Sequence, residues 1–189
     1  MVSARLQALG AAVVDTDVIA HALTAPGGAA MPAIEEQFGP EFVTAEGALD
    51  RARMRAVAFA TPDARRRLEA ILHPMIRSAT EADALRAARG APYVVLVIPL
   101  LVESGNWKAR VARVLVVDCS GATQVERVQS RSNLDERAVR DIISQQATRQ
   151  QRLGAADDVV VNETDLRSLD TRVGRLHQLY SRLAAARGH

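Results

Sequence analysis

Apolar positions along the chain follow two kinds of pattern. Continuous runs rich in β-branched residues occur at 11–15, 93–99, 113–118 and 157–162. Such runs predict strands buried on both faces, as in parallel sheets covered by helices. Helical periodicity predicts helices at 2–9, 17–24, 32–39, 50–60, 63–89, 122–131, 135–152 and 165–187. The alternation of strands and helices predicts an α/β fold, an open parallel sheet with helices on both faces.

Breaks in these patterns divide a single domain spanning 1–189 into parts. The segment from about 25 to 90 is almost all helical, so it is expected to form a lobe beside a core made of 1–24, 91–120 and 153–189. Residues from about 121 to 152 are expected to form a lid. Pro74 has no backbone N–H to donate, so a kink or a junction of two helices is expected within 63–89.

Composition narrows the class of protein. The 189 residues are 48% hydrophobic and 24% charged with a net charge of +2, which fits a folded domain rather than a disordered one. Cys119 is the single cysteine, so the chain has no intrachain disulfide and no cysteine metal cluster. The longest apolar run is too short to span a bilayer, and no signal peptide pattern is present, which favours a soluble, reducing compartment. Aromatic residues make up 3%, which argues against a base-stacking nucleic-acid surface.

Acidic residues stand where the predicted strands end. Asp15, Asp17, Glu103 and Asp118 follow three of the apolar runs, and the carboxyl ends of parallel strands are where ligands collect. These carboxylates are therefore expected to lie on one rim. Asp17 has a structural and a functional interpretation: it caps the following helix, or it acts chemically by accepting a substrate proton or by holding Mg²⁺ through water.

Arginines form a second group of candidates, since Lys108 is the only lysine. Arg127 and Arg131 are four residues apart and project from one helical face, and Arg149 and Arg152 follow them. A solvated face paired with Glu126 and Asp135 is one interpretation. The other is a lid that contacts transferring phosphates. Drift in amino-acid composition is a further explanation for the high arginine content.

His73 lies in an apolar helical segment. Its default interpretation is a histidine packed inside the protein.

The segments LGAAVVDTDVIAH, ILHPMI, VVLVIPLLVE, RVLVVDCS, QVERVQSR and QQATRQQRLGAADDVVVN occur in this order between Val2 and about Leu183. Together they resemble the dephospho-CoA kinase family of P-loop kinases. The resemblance implies a parallel sheet, a helical CoA-binding lobe and an arginine-bearing lid. It also implies ATP- and Mg²⁺-dependent phosphorylation of the ribose 3′-hydroxyl of dephospho-CoA. From composition we expect a cytoplasmic protein without nucleic-acid or membrane partners. The sequence does not report the oligomeric state, for which a monomer is the expectation.

The resemblance also implies roles for individual residues. Asp17 matches the general base and Arg149 a catalytic arginine. The remaining matches fall into substrate-binding positions (Asp15, His21, His73, Leu100 and Glu103) and nucleotide-binding positions (Arg127, Arg131, Arg152 and Asn162). Asn162 belongs to the segment near the adenine.

One element of the family pattern is absent from these 189 residues: the GxxxxGK[ST] loop whose backbone N–H groups bind phosphates. We expect the central first strand and this loop to lie upstream of residue 1, so that the chain is truncated and impaired. Two alternatives remain open. The chain is a non-catalytic CoA- or nucleotide-binding protein, or it is another nucleotide kinase of the same fold.

Overall fold

The computed structural model describes residues 1–105, 107–132, 134–163 and 166–187. Its strands are β1 (Ala12–Asp15), β2 (Val94–Val97), β3 (Leu115–Asp118) and β4 (Asp158–Val161). Its helices are α1 (Val2–Ala8), α2 (Thr16–Leu23), α3 (Met31–Phe38), α4 (Arg51–Ala60), α5 (Pro62–Ala87), α6 (Leu101–Ser104), α7 (Gly121–Arg131), α8 (Glu136–Ser144), α9 (Arg149–Ala155) and α10 (Leu166–Arg187).

The chain divides into two compact units, one formed by residues 12–98 and the other by 1–11 with 99–189. The helical segment expected at about 25–90 falls within the first unit, and the segment expected as a lid at about 121–152 falls within the second. The lobe, the lid and the boundaries between them stay predictions.

In the unit of residues 12–98, β1 and β2 pair in parallel, with Asp15 opposite Val97. Helix α2 follows β1 without a loop, and the Thr16 hydroxyl donates to the Val97 carbonyl at 3.0 Å. The helices enclose an apolar cluster of Ala30, Met31, Ile34, Phe42, Leu49 and Met54. Leu68, Ile71, Leu72 and Met75 of α5 pack against this cluster. Their spacing forms one face of a helix, so burial of that face holds α5 in place.

The unit of residues 1–11 and 99–189 contains the other parallel pair, β3 and β4, with Asp118 opposite Val161. Helix α10 packs on α1 and on β4. At the start of the strands Arg113 donates Nε to Asp158 at 2.7 Å, and the Tyr180 hydroxyl donates to the same carboxylate at 2.9 Å. These bonds tie α10 to the beginning of β4.

Two sequence-based expectations about the elements are wrong, and one of the two alternatives at Pro74 is excluded. Helix α5 runs from Pro62 to Ala87 with Pro74 inside it, so there is no junction of two helices, and a kink at Pro74 stays a prediction. A proline removes one hydrogen bond, and packing of the surrounding apolar face outweighs that loss here. The helix expected at 135–152 is two helices, because Thr148 starts α9 with a capping box. Within the second unit Val117 and Val159 are 48% and 44% exposed, so β3 and β4 are not buried on both faces.

Candidate functional site

The turn from β1 into α2 separates the roles of the two neighbouring acids. Asp15 is the N-cap of α2, and its Oδ1 accepts the main-chain N–H of Asp17 at 2.9 Å. The interpretation of Asp17 as the cap is therefore wrong. Asp17 lies in the first turn, where a negative charge complements the helix dipole. Its side chain is exposed, and no described side chain hydrogen-bonds to its carboxylate.

The rest of α2 carries the next predicted position. His21 is exposed and lies one helical turn after Asp17, on the same face. Arg51 of α4 donates to the buried Thr24 hydroxyl at 2.6 Å and to the His21 carbonyl at 3.5 Å, which fixes the end of α2. Sequence reasoning missed Arg51, since its partners are 27 and 30 residues away. His73 of α5 is exposed, so the expectation of a packed histidine is wrong.

In the other unit, an ion pair forms at the carboxyl end of β3. Arg149 donates Nε to Asp118 Oδ1 at 2.9 Å and Nη2 to Oδ2 at 2.6 Å. The Asp118 side chain is 8% exposed and that of Arg149 is 59% exposed. The Arg149 hydrogen bonds hold the pKa of Asp118 below its usual range, and the same bonds raise the pKa of Arg149. The pair anchors Nε and Nη2 of the guanidinium, while more than half of the Arg149 side chain stays exposed.

The end of β4 connects to α7 through a second set of bonds. The Asn162 N–H donates to the Asp118 carbonyl at 2.8 Å, and its own carbonyl accepts Arg127 Nη1 at 2.7 Å. The Glu163 carboxylate accepts the Ser120 N–H at 2.6 Å and the Thr123 hydroxyl at 2.8 Å. Hydrogen bonds from Ser120, and after them from Thr123, lower the pKa of Glu163.

An open cavity of about 370 Å³ lies beside these bonds. All six residues that line it have polar or charged side chains: Thr123, Glu126, Arg127, Ser130, Arg131 and Glu163. Arg127 and Arg131 line it together, as their spacing predicts. Asp135, considered above as a partner of these arginines, instead caps α8 through the Ala138 N–H at 2.7 Å. The cavity therefore offers two guanidinium groups, two carboxylates and two hydroxyls to a polar ligand.

Helix α9 brings further predicted residues together. Glu103 of α6 accepts the Ala147 N–H at 2.7 Å, and Arg152 Nη1 donates to the Ala147 carbonyl at 2.5 Å. Leu100, just before α6, is 45% exposed. This unit therefore connects Glu103, Arg152, Arg149, Asp118, Asn162 and Arg127 through hydrogen bonds and short segments of chain. Asp15, Asp17, His21 and His73 belong to the unit of residues 12–98.

Two absences among the described residues bear on the type of site. No group of three or more His, Cys, Asp and Glu side chains there is arranged to hold a metal ion. No helix in the described part of the chain is both long and apolar enough to cross a membrane.

Comparison with known proteins identifies the family. The family model described as dephospho-CoA kinase, CoaE, matches residues 1–168. A protein from Burkholderia thailandensis named dephospho-CoA kinase is 58% identical over 180 residues, which are 95% of this chain and 88% of the relative. One of the same name from Bordetella pertussis is 57% identical, over 94% of this chain and 83% of its own.

Solved structures share the fold. A crystal structure from Thermus thermophilus superposes with a TM-score of 0.76 at 30% identity, covering 93% of this chain and 87% of that one. A dephospho-CoA kinase from Campylobacter jejuni gives a TM-score of 0.68 at 21% identity, with 96% and 92% covered. These matches agree with the α/β fold. The chain belongs to the dephospho-CoA kinase family.

Proposed function

We propose that this chain transfers the γ-phosphoryl group of ATP to the ribose 3′-hydroxyl of dephospho-CoA. The observation that carries the proposal is the division of roles between Asp15 and Asp17 at the start of α2. Because Asp15 supplies the cap, the Asp17 carboxylate is left exposed and able to accept the proton of the attacking hydroxyl. Asp15 lies at the N-cap just before Asp17, and His21 lies one helical turn after it. These positions support a role for both residues in binding the acceptor, dephospho-CoA. His73 and Leu100 are exposed, as binding residues must be.

The arginines are proposed to bind the donor phosphates. Phosphoryl transfer depends on positioning and on neutralising negative charge, both of which a guanidinium supplies. Arg149 is oriented by Asp118 while its outer edge stays exposed. Arg127 and Arg131 line the polar cavity, next to Asn162, which is proposed to lie near the adenine. Arg152 lies on α9, the helix of Arg149, and supports the start of that helix by donating to the Ala147 carbonyl.

Mg²⁺ is the cofactor that this chemistry implies. In phosphoryl-transfer sites it usually keeps several waters and binds one or two carboxylates together with substrate phosphates. An exposed Asp17 carboxylate without a described partner fits contact through water. The ion, when bound, would neutralise charge on the phosphates. The cytoplasmic location and the monomeric state stay predictions.

The test is the Asp17→Asn variant, assayed for ADP and CoA formation from ATP and dephospho-CoA. We expect kcat to fall by about 10²–10⁴, the usual contribution of a general base, with unchanged ATP affinity. Asp15→Ala is the matched control: it should lower the free energy of unfolding by about 1 kcal/mol through loss of the cap. Unchanged turnover in Asp17→Asn would refute the role of Asp17. A wild-type chain that binds both substrates without transfer would refute transfer by these 189 residues; that result would agree with the non-catalytic alternative and also with the impaired chain expected from the absence of the GxxxxGK[ST] loop.

A further inference from the structure

We propose that Glu103 is a positioning residue, whose carboxylate fixes the first turn of α9 and so sets where Arg149 and Arg152 project. The inference rests on the proposed function, because it assigns Glu103 to the ATP side of the reaction. Family resemblance alone implies contact with the acceptor substrate instead. The two roles predict different results for the same substitutions.

The contact involves a peptide group just outside α9. Ala147 precedes the N-cap Thr148, so its N–H has no partner inside the helix. Glu103 Oε1 accepts this N–H at 2.7 Å, and Arg152 Nη1 donates to the carbonyl of the same residue at 2.5 Å. A charged acceptor forms the stronger kind of hydrogen bond. Both polar backbone groups of Ala147 are therefore held.

The capping box makes the first turn of α9 a single structural piece. Thr148 Oγ1 accepts the Gln151 N–H at 3.2 Å, and Gln151 Oε1 accepts the Thr148 N–H at 2.8 Å. These bonds are internal to the turn, so they fix its shape without fixing its place. Two contacts with other elements do that: Glu103 of α6 to Ala147, and Asp118 of β3 to Arg149. Loss of the first leaves the turn anchored on one side.

Glu103 has no other hydrogen bond or ion pair among the described residues, and its side chain is exposed. It belongs to the short helix α6, which lies directly after Leu100. A shift of α6 would therefore be transmitted through one hydrogen bond to the arginine-bearing helix. The Glu103 carboxylate therefore keeps Arg149 and Arg152 in position.

Two substitutions separate positioning from substrate contact. Glu103→Ala removes the acceptor, whereas Glu103→Gln keeps a side-chain carbonyl oxygen that can accept the Ala147 N–H. We expect Glu103→Ala to raise the Kd for ATP about five- to tenfold, with the KM for dephospho-CoA unchanged. Glu103→Gln should restore most of the ATP affinity. Glu136→Ala, which removes an exposed carboxylate paired with Arg140 on α8, is the control and should leave both values unchanged.

Amide hydrogen exchange provides a readout that does not depend on turnover. Glu103→Ala should speed exchange of the Ala147 N–H about tenfold, and Glu103→Gln should leave it near the wild-type rate. Unchanged exchange in Glu103→Ala, or a rise in the KM for dephospho-CoA alone, would overturn the inference. Faster exchange in a chain that shows no phosphoryl transfer would instead refute the proposed function and leave the positioning role intact.

A double-variant cycle provides the final check. If Glu103 acts through Arg149 and Arg152, then Glu103→Ala should affect ATP affinity less in an Arg149→Ala background than in the wild type, with the remaining effect acting through Arg152. Fully additive effects would mean that Glu103 reaches the nucleotide by another route, which contradicts the proposed path.

Discussion

Replacing Asp118 by Asn tests whether the buried carboxylate orients Arg149. Asp118 accepts two hydrogen bonds from one guanidinium, at 2.9 and 2.6 Å, and its side chain is 8% exposed. An asparagine of the same size keeps one carbonyl oxygen but turns an N–H₂ group toward another donor. The substitution therefore removes the charge and one of the two bonds while leaving the packing volume almost unchanged.

The geometry of the ion pair sets the loss in free energy of unfolding that we expect for Asp118→Asn. A hydrogen bond to a charged group contributes about 1.5–3 kcal/mol. The Arg149 side chain is 59% exposed, so solvent screens the pair, and surface pairs contribute only about 0–1 kcal/mol. Between these limits we expect Asp118→Asn to lower the free energy of unfolding by about 1–2 kcal/mol. The ATP affinity should also fall, because the guanidinium loses its fixed plane.

Urea denaturation at several pH values is the assay, with the exposed Asp141→Asn as control. Arg149 lowers the pKa of Asp118 in the folded state, while an unfolded aspartate titrates near about 3.9. The stabilisation is therefore present above about pH 4 and is lost as the pH falls through the lowered folded-state pKa. The difference in the free energy of unfolding between wild type and Asp118→Asn should be constant near neutral pH and should disappear in acid. The reasoning would be refuted if wild type and variant had the same free energy of unfolding at pH 7. It would also be refuted if their difference persisted in acid, where Asp118 is protonated in both the folded and the unfolded wild-type chain.

Further substitutions test the packing around both units by the same denaturation measurement. A Cβ added at Gly28 would lie 2.3 Å from the Leu23 carbonyl oxygen, so Gly28→Ala should cost about 1–3 kcal/mol; a stable variant would mean that this turn can move. Gly154 in α9 has no atom within 4 Å of such a Cβ, so Gly154→Ala should stabilise by about 0.5–1 kcal/mol, and a loss would point to an unseen contact. Tyr180→Phe removes the hydroxyl bond to Asp158 and should cost about 1 kcal/mol; no change would show that this bond does not help to hold α10.

Local patterns predicted most of the elements. All four strands and the helices starting near residues 2, 17, 32 and 51 lie within a few residues of the predicted bounds. The break between α8 and α9 also has a local signal, since Thr148 and Gln151 have the spacing of a capping box. Helical periodicity across 135–152 concealed it. The continuity of α5 through Pro74 has no local signal, because packing against the apolar cluster of the first unit decides it.

Pairings between distant residues could not be predicted in the same way. Asp118 and Arg149 are 31 residues apart, and Glu103 and Ala147 are 44 apart. Sequence spacing shows that acids and arginines are available near the strand ends, but only the crossover connections determine which of them meet. The candidate list therefore contained most of the residues that the second unit connects, without the bonds that connect them.

Asp15 at the end of β1 and Asp118 at the end of β3 act in the same way. Each carboxylate accepts hydrogen bonds that fix a neighbouring group. After β1, Asp15 uses its side chain to start α2, and this leaves the adjacent Asp17 exposed. After β3, Asp118 binds two N–H groups of Arg149, and this leaves the outer edge of the guanidinium exposed. In both units the supporting acid is the last residue of a strand, where the backbone is held by its parallel neighbour. The roles proposed for Asp17 and Arg149 would use this arrangement, because a side chain placed beside such an anchor is oriented at little entropic cost, as catalysis by positioning requires.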